Sequence, residues 1–149
     1  MFLWGSFLLF AIYPNAGHCF TLITPEEAAQ PDAPIPRGVK LTTIEGNGPQ
    51  IKIYSPNLNE PLRIPFIMDI AFEASSDKTI DFDSLTIKCL KLIPIDLTEK
   101  MKPYLNNSRL TVRDVKVPQG KHRLQLSIAY TSGEKTMMEI VLSAEKQKR

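Results

Sequence analysis

Phe66-Ile67-Met68-Asp69-Ile70-Ala71-Phe72-Glu73 is the stretch that decides the fold. Phe66, Met68, Ile70 and Phe72 fall on one face of an extended chain, with Asp69 and Glu73 on the other. This is the two-residue period of a strand buried on one side. Strands of a parallel sheet are covered on both faces and read as continuous apolar runs. The octet therefore predicts an antiparallel sheet with one wet face.

The same period recurs on either side of it. Upstream, Ile51 and Ile53 alternate within Gln50 to Tyr54, and Ser55-Pro56-Asn57 ends that strand. Pro61 and Pro65 bracket Leu62-Arg63-Ile64, a short edge piece. Downstream, a turn through Ser75-Ser76-Asp77-Lys78 leads to Ile80-Asp81-Phe82-Asp83, and Leu85, Ile87 and Cys89 alternate as a further strand. Asp96-Leu97-Thr98-Glu99 has the form of a helix start, and Pro103 limits it to a turn or two. Leu97, Met101 and Tyr104 are expected to face inward there, with Glu99 capping beside Asp96. Asn106-Asn107 turns the chain into Leu110 and Val112, and Val115 and Val117 lead to Pro118-Gln119-Gly120. His122, Leu124, Leu126, Ile128 and Tyr130 make a long strand. Ser132-Gly133 turns it into Thr136, Met138, Ile140 and Leu142. About seven strands with turn signals between them and almost no helix predict an all-β antiparallel sandwich.

The chain has 149 residues and a mass of 16.8 kDa, enough for one domain. Residues 1–19 carry no Lys, Arg, Asp or Glu, and Phe2 to Tyr13 is mostly apolar. That run is short for a membrane span, which takes about 20 residues, and suits a signal-peptide core. Only the α-amino group of Met1 precedes it as a positive charge. Gly17 and Cys19 offer small side chains for cleavage before Phe20, and a cut near Ala16 or Gly17 is the second option. The competing reading is a buried N-terminal strand or helix. His18 before Cys19 argues against a lipidated cysteine. Residues 20–38 hold Pro25, Pro31, Pro34 and Pro36 and read as an extended linker, a tether, ahead of the sandwich domain 39–145. Lys146-Gln147-Lys148-Arg149 reads as a solvated basic tail.

Several of these segments resemble a known family. They are Gly48-Pro49-x-Ile51-x-Ile53, Ser55-Pro56, Pro65-Phe66, Ile80-Asp81-x-x-Ser84-Leu85, Ile95-Asp96-Leu97-Thr98 and Pro118-x-Gly120-x-His122-x-Leu124. Over roughly residues 48–142 the chain resembles the bacterial immunoglobulin-like (Ig-like) domains of small exported proteins. The resemblance implies an Ig-like sandwich and a periplasmic or extracellular place. For function it is weak, because this architecture hosts adhesion, accessory and assembly roles alike. Many relatives carry Asp-x-x-Gly in the last hairpin. Here it reads Tyr130-Thr131-Ser132-Gly133, which puts a calcium site there in doubt.

Composition narrows the chemistry. With 43% hydrophobic and 23% charged residues the chain is globular, and 18 basic against 16 acidic side chains leave +2. That balance does not suggest a nucleic-acid binder. Two cysteines and two histidines cannot supply a zinc ribbon. Cleavage after Cys19 would leave one histidine, one cysteine and no tryptophan. There is no Gly-rich phosphate loop and no paired metal ligands, so neither cofactor nor metal is expected.

Each reactive type has a structural reading. His122 could act as a base on Ser127 or Ser132 with Asp114 as orienter, but it lies on the apolar face of its strand and is expected to bond a nearby backbone group. Cys89 alternates with Leu85 and Ile87 as a small core residue. An earlier cut would leave Cys19 free to pair with it, though a tether gives no geometry for that bond. Asp77, Asp81, Asp83 and Glu73 lack the glycine and twelfth-position acid of a calcium loop. Lys88, Lys91, Lys100, Lys102, Arg109, Arg113, Lys116, Lys121 and Arg123 read as outward charges that keep strand edges apart. Asn106-Asn107-Ser108 satisfies a glycosylation triplet that the bacterial resemblance makes moot.

The function expected from this reading is non-enzymatic: an exported module that binds an envelope protein or an envelope polymer through loops or an open sheet edge. The candidate binding residues are Ser75, Ser76, Asp77, Lys78, Asn106, Asn107, Ser108, Ser132, Gly133, Glu134 and Lys135. The rivals are a small secreted hydrolase or carbohydrate-active enzyme, and a structural subunit or folding helper of an envelope assembly.

Overall fold

The computed structural model describes residues 19–35 and 43–145. The apolar run up to residue 18, the linker boundary at 38 and 39 and the tail 146–149 lie outside the described residues. Among the described residues the chain forms β1 (Phe20–Thr21), β2 (Thr43–Gly46), β3 (Gln50–Ser55), β4 (Phe66–Glu73), β5 (Ile80–Cys89), β6 (Ile95–Asp96), β7 (Leu105–Asn106), β8 (Arg109–Lys116), β9 (Gly120–Tyr130) and β10 (Lys135–Ala144). Seven of these have four or more residues, and β1, β6 and β7 are two-residue pieces. The helices are single turns, α1 (Pro25–Ala28) and α2 (Thr98–Met101), the latter running into a 3-10 turn at Lys102–Tyr104.

The strands make two sheets of an all-β sandwich. The first runs β1-β8-β4-β3, with β7 also on β8, and the second runs β2-β10-β9-β5-β6. All pairings between the longer strands are antiparallel. β1 runs parallel to β8, and Leu62, in the short edge piece, makes a parallel bridge with Ala144. Alternation selects the core: Met68, Ile70 and Phe72 from β4 meet Leu85, Ile87, Leu124, Leu126, Ile128, Ile140 and Leu142 from the second sheet, all buried. Each such side chain contributes roughly 1.5–3 kcal/mol on leaving water. Phe72 and Phe82 pack edge to face at 6.2 Å. β2 lies so close to β10 that a Cβ on Gly46, at φ 103°, would fall 2.0 Å from the Lys135 carbonyl oxygen.

Bulges mark where the alternation changes phase. In β8, Val112 lies opposite Met68 and Val115 opposite Phe66, so three residues answer two. Asp114 takes up the extra residue at φ 53°, and Arg113 and Asp114 both end outside while Leu110, Val112 and Val115 stay buried. In β3, Ile53 pairs with Ile70 and Ser55 with Asp69, which leaves Tyr54 as the extra residue, on the outward side that alternation after Ile51 and Ile53 already gives it. A third slip lies in β5 between Asp81 and Thr86. The strand expected over Leu85 to Cys89 extends back across that slip to include Ile80–Asp83.

Residues 20–35 are not a tether. Leu22 and Ile23 are fully buried, and the Leu22 amide donates to the Lys116 carbonyl at 3.0 Å. Thr24 and Glu27 form a reciprocal capping box around α1, with Pro25 at its first position. The chain then straps across the second sheet: the Leu92 amide donates to the Pro31 carbonyl at 2.8 Å, and Arg123 Nη1 to the Ala33 carbonyl at 3.0 Å. Prolines are compatible with such an edge because an edge needs few donors. Lys91, expected to point outward, is 3% exposed and latches this strap, donating to the Asp32 carboxylate and the Ala28 carbonyl.

The helical turn after β6 differs in detail. The N-cap position is Leu97, which caps with no side-chain bond; Asp96, one residue earlier, accepts the Thr98 amide on Oδ1 at 2.9 Å, and Glu99 faces Lys102 at 3.6 Å instead of capping. Leu97 and Met101 are buried as expected, but Tyr104 is 42% exposed. Pro103 lies in the 3-10 segment that ends the helix, and the Tyr104 ring at its end packs on Phe20 at the surface instead of joining the core.

Candidate functional site

The outer face of the first sheet carries a groove of about 890 Å³. Its floor is low because Ala71 on β4 and Thr111 on β8 are short. Its walls are larger side chains standing out beside that floor. On one side stands Tyr54, 57% exposed, and on the other Arg113, Asp114, Tyr104 and Phe20. Phe20 on β1 packs edge to face on Tyr104 at 5.1 Å. The β7–β8 turn, Asn106-Asn107-Ser108, closes one end beside Glu73, with Asn107 at φ 55°.

The charges around the groove are paired off within it. Arg109 grips Asp69 with two parallel bonds, Nε to Oδ1 at 2.8 Å and Nη2 to Oδ2 at 2.7 Å, and Thr111 adds a third at 3.3 Å. The Arg109 guanidinium holds the Asp69 carboxyl below the usual carboxylate range. It also lies over the Tyr54 ring at 5.0 Å, bracing that wall. Glu73 pairs with Lys52 at 2.9 Å. Among the described residues Arg113 and Asp114 have no ion-pair partner, and they stand next to each other with opposite signs.

The loop residues expected to bind divide between two places. Asn106, Asn107 and Ser108 line the groove. Ser75–Lys78 and Ser132–Lys135 instead meet each other across the end of the sandwich. The Ser75 amide donates to the Tyr130 hydroxyl at 3.0 Å, and Lys78 Nζ to Glu134 Oε1 at 2.9 Å. Ser132 Oγ donates to Glu134 Oε2. The Ser132 hydroxyl and the Lys78 ammonium pull the Glu134 carboxyl down to about 2. Gly133 supplies the left-handed turn position at φ 104°, and Lys135 opens β10 opposite Ala129. Ser76 and Asp77 are exposed at the loop tip. These groups fix two loops to each other, which leaves the groove as the more open polar surface.

The reactive types fall into the core or stay apart. His122 is buried, its Nε2 2.6 Å from the Pro118 carbonyl oxygen, while Nδ1 and the buried Ser127 hydroxyl have no partner. No bond joins His122 to Ser127 or Ser132, so the serine dyad is not formed. Cys89 is buried, which pushes its thiol upward, and Cys19 is exposed and separate from it. Asp81 Oδ1 accepts from the Asp83 amide at 3.1 Å. Among the described residues no three His, Cys, Asp or Glu side chains converge as a metal site.

Sequence reasoning misses Phe20, Tyr54, Tyr104, Arg113 and Asp114 as site residues. One signal for them is present: the apolar positions 110 and 112 shift to 115 and 117, which requires a bulge near Arg113-Asp114. Comparison with family models, curated proteins and solved structures finds no match to the chain.

Proposed function

We propose that the protein is an exported, non-enzymatic binding module with an Ig-like sandwich, and that the groove on its first sheet holds the ligand. The observation that carries this reading is the groove itself. Tyr54 from β3 faces outward by alternation, and the β8 bulge turns Asp114 to the same side as Arg113, so that all three stand around a floor of short side chains. Bulges are frequent next to sites because they re-aim side chains that regular pleating would direct elsewhere. Tyrosine and arginine are enriched where protein surfaces recognise partners.

Export rests on the charge-free apolar run at residues 1–19. The packing is compatible with it: Cys19 is exposed, whereas Leu22 is buried and Phe20 forms part of the groove wall. A cut between Cys19 and Phe20 keeps every described core residue. A cut beyond Ile23 would remove two of them. Among the described residues no helix is long and apolar enough to cross a membrane.

The test is a photo-crosslinking amino acid placed at Tyr104 or at Ser76 in the producing cell, with N-terminal sequencing of the recovered protein. Adducts from position 104 and not 76, on a chain beginning at Phe20, are expected. Adducts from position 76 alone would place binding on the loops, and an intact Met1 would overturn export.

A further inference from the structure

We propose that the groove takes a neutral glycan, an extended chain of uncharged sugars; this rests on the groove being the binding site. Charge argues it first. Arg109 and Asp69 neutralise each other, as do Lys52 and Glu73, and the outward pair Arg113 and Asp114 adds one charge of each sign. A site for a polyanion such as nucleic acid or a sulfated polymer would carry a surplus of unpaired cations. Among the described residues this groove has no such surplus, because the one cation without an ion pair, Arg113, is offset by its neighbour Asp114.

The polar groups that remain match hydroxyls. A sugar hydroxyl donates and accepts, so neighbouring hydroxyls are best met by adjacent donor and acceptor groups. Arg113 only donates and Asp114 only accepts, while the amides of Asn106 and Asn107 do both. The β8 bulge makes this possible, because regular alternation would send Arg113 and Asp114 to opposite faces.

The apolar contribution comes from rings. Pyranoses present flat C–H faces, and Tyr54 and Tyr104 offer exposed rings on opposite sides of the groove. Both are braced before any ligand arrives, Tyr54 by the Arg109 guanidinium at 5.0 Å and Tyr104 by Phe20 at 5.1 Å. Braced rings lose little conformational freedom on binding. A peptide adding itself as a strand would need an open strand edge. The groove instead spans a sheet face, with walls contributed by β3, β8 and β1 and a floor by β4 and β8.

The experiment is affinity electrophoresis of the full chain, as purified from the producing cell. Native gels would contain neutral polysaccharides (β-glucan, galactomannan, xylan) or polyanions (alginate, dextran sulfate), alongside pull-downs on insoluble chitin and peptidoglycan. Retention by at least one uncharged glycan is expected, and it should persist in ~1 M NaCl, where the screening length is about 3 Å. Tyr104→Ala and Tyr54→Ala should each weaken retention about tenfold, as loss of an interface anchor does. Tyr104→Phe should retain most of it, and Ser76→Ala all of it. Thermal melts would verify that the variants fold. Retention by polyanions alone, lost in salt, overturns the proposal, as does retention by none of the glycans. If no glycan binds but the crosslinker at position 104 captures a protein, the groove stands as the site and the glycan assignment falls. If position 104 captures nothing and glycans fail as well, both readings fall.

Discussion

The loop cluster at the end of the sandwich and the groove on its first sheet are both polar surfaces built around tyrosines, yet they are organised in opposite ways. In the cluster, Tyr130 is buried and its hydroxyl meets Ser75, while Lys78, Ser132 and Glu134 bind one another. In the groove, Tyr54 and Tyr104 keep a ring toward solvent, and Arg113 and Asp114 have no ion-pair partner among the described residues. Polar groups that satisfy each other stabilise the fold. Polar groups and rings held rigid but left unfilled are available to a ligand. Polar composition alone does not separate the two cases.

The largest expected break in this contrast comes from exchanging a tyrosine in each region. Tyr130→Ala removes a buried ring and frees both loops, and should cost about 3–5 kcal/mol in chemical denaturation. Tyr104→Ala should cost less than about 1 kcal/mol, because its ring is partly solvated already. Equal costs would erase the distinction.

A smaller effect is expected at the strap that covers part of the second sheet. Asp32→Ala leaves the buried Lys91 ammonium with the Ala28 carbonyl as its remaining partner. Loss of one hydrogen bond to a charged group is worth about 1.5–3 kcal/mol, toward the low end here because Asp32 is largely solvated. Faster amide exchange at residues 28–33 with no change in the groove would show that strap and groove are independent.

Acid probes the cluster further. Glu134 titrates at about 2 in the folded chain against an ordinary 4.5. Its contribution to stability is therefore fully present above pH 4.5 and is lost as pH falls through about 2. Loop amide protection should fade across that window in the wild type, and Glu134→Gln should remove this pH dependence. Persistence of the full dependence in the variant would assign it to another carboxyl, Asp69 being the first alternative.

The smallest effect belongs to the groove. Arg113→Gln should change stability by no more than about 0.5 kcal/mol, since Arg113 is exposed and has no ion pair among the described residues. A large loss would show that Arg113 supports the bulge and is not free for a ligand.

Much of the architecture is legible in the chain. The period of Phe66 to Glu73 and of His122 to Tyr130 marks half-buried strands, and the turn residues between them set an antiparallel order. His122 and Cys89 are placed correctly in the core by alternation alone. The strap is misread because proline content outweighs Leu22-Ile23 and the Thr24-x-x-Glu27 cap signal, both of which are plain in the residues. Lys91 is misread because a buried ammonium depends on partners, Asp32 and Ala28, some sixty residues away.

The alternation of apolar side chains determined on its own that this chain is a β-sandwich, because burying a period-two face leaves few other solutions. Only the tertiary structure assembled the groove that we propose as the binding site. The groove joins Phe20, Tyr54, Ala71, Tyr104 and Arg113 from β1, β3, β4, the 3-10 turn and β8. No local pattern links those positions, since their proximity follows from strand order, with the β8 bulge turning Asp114 to the same side as Arg113.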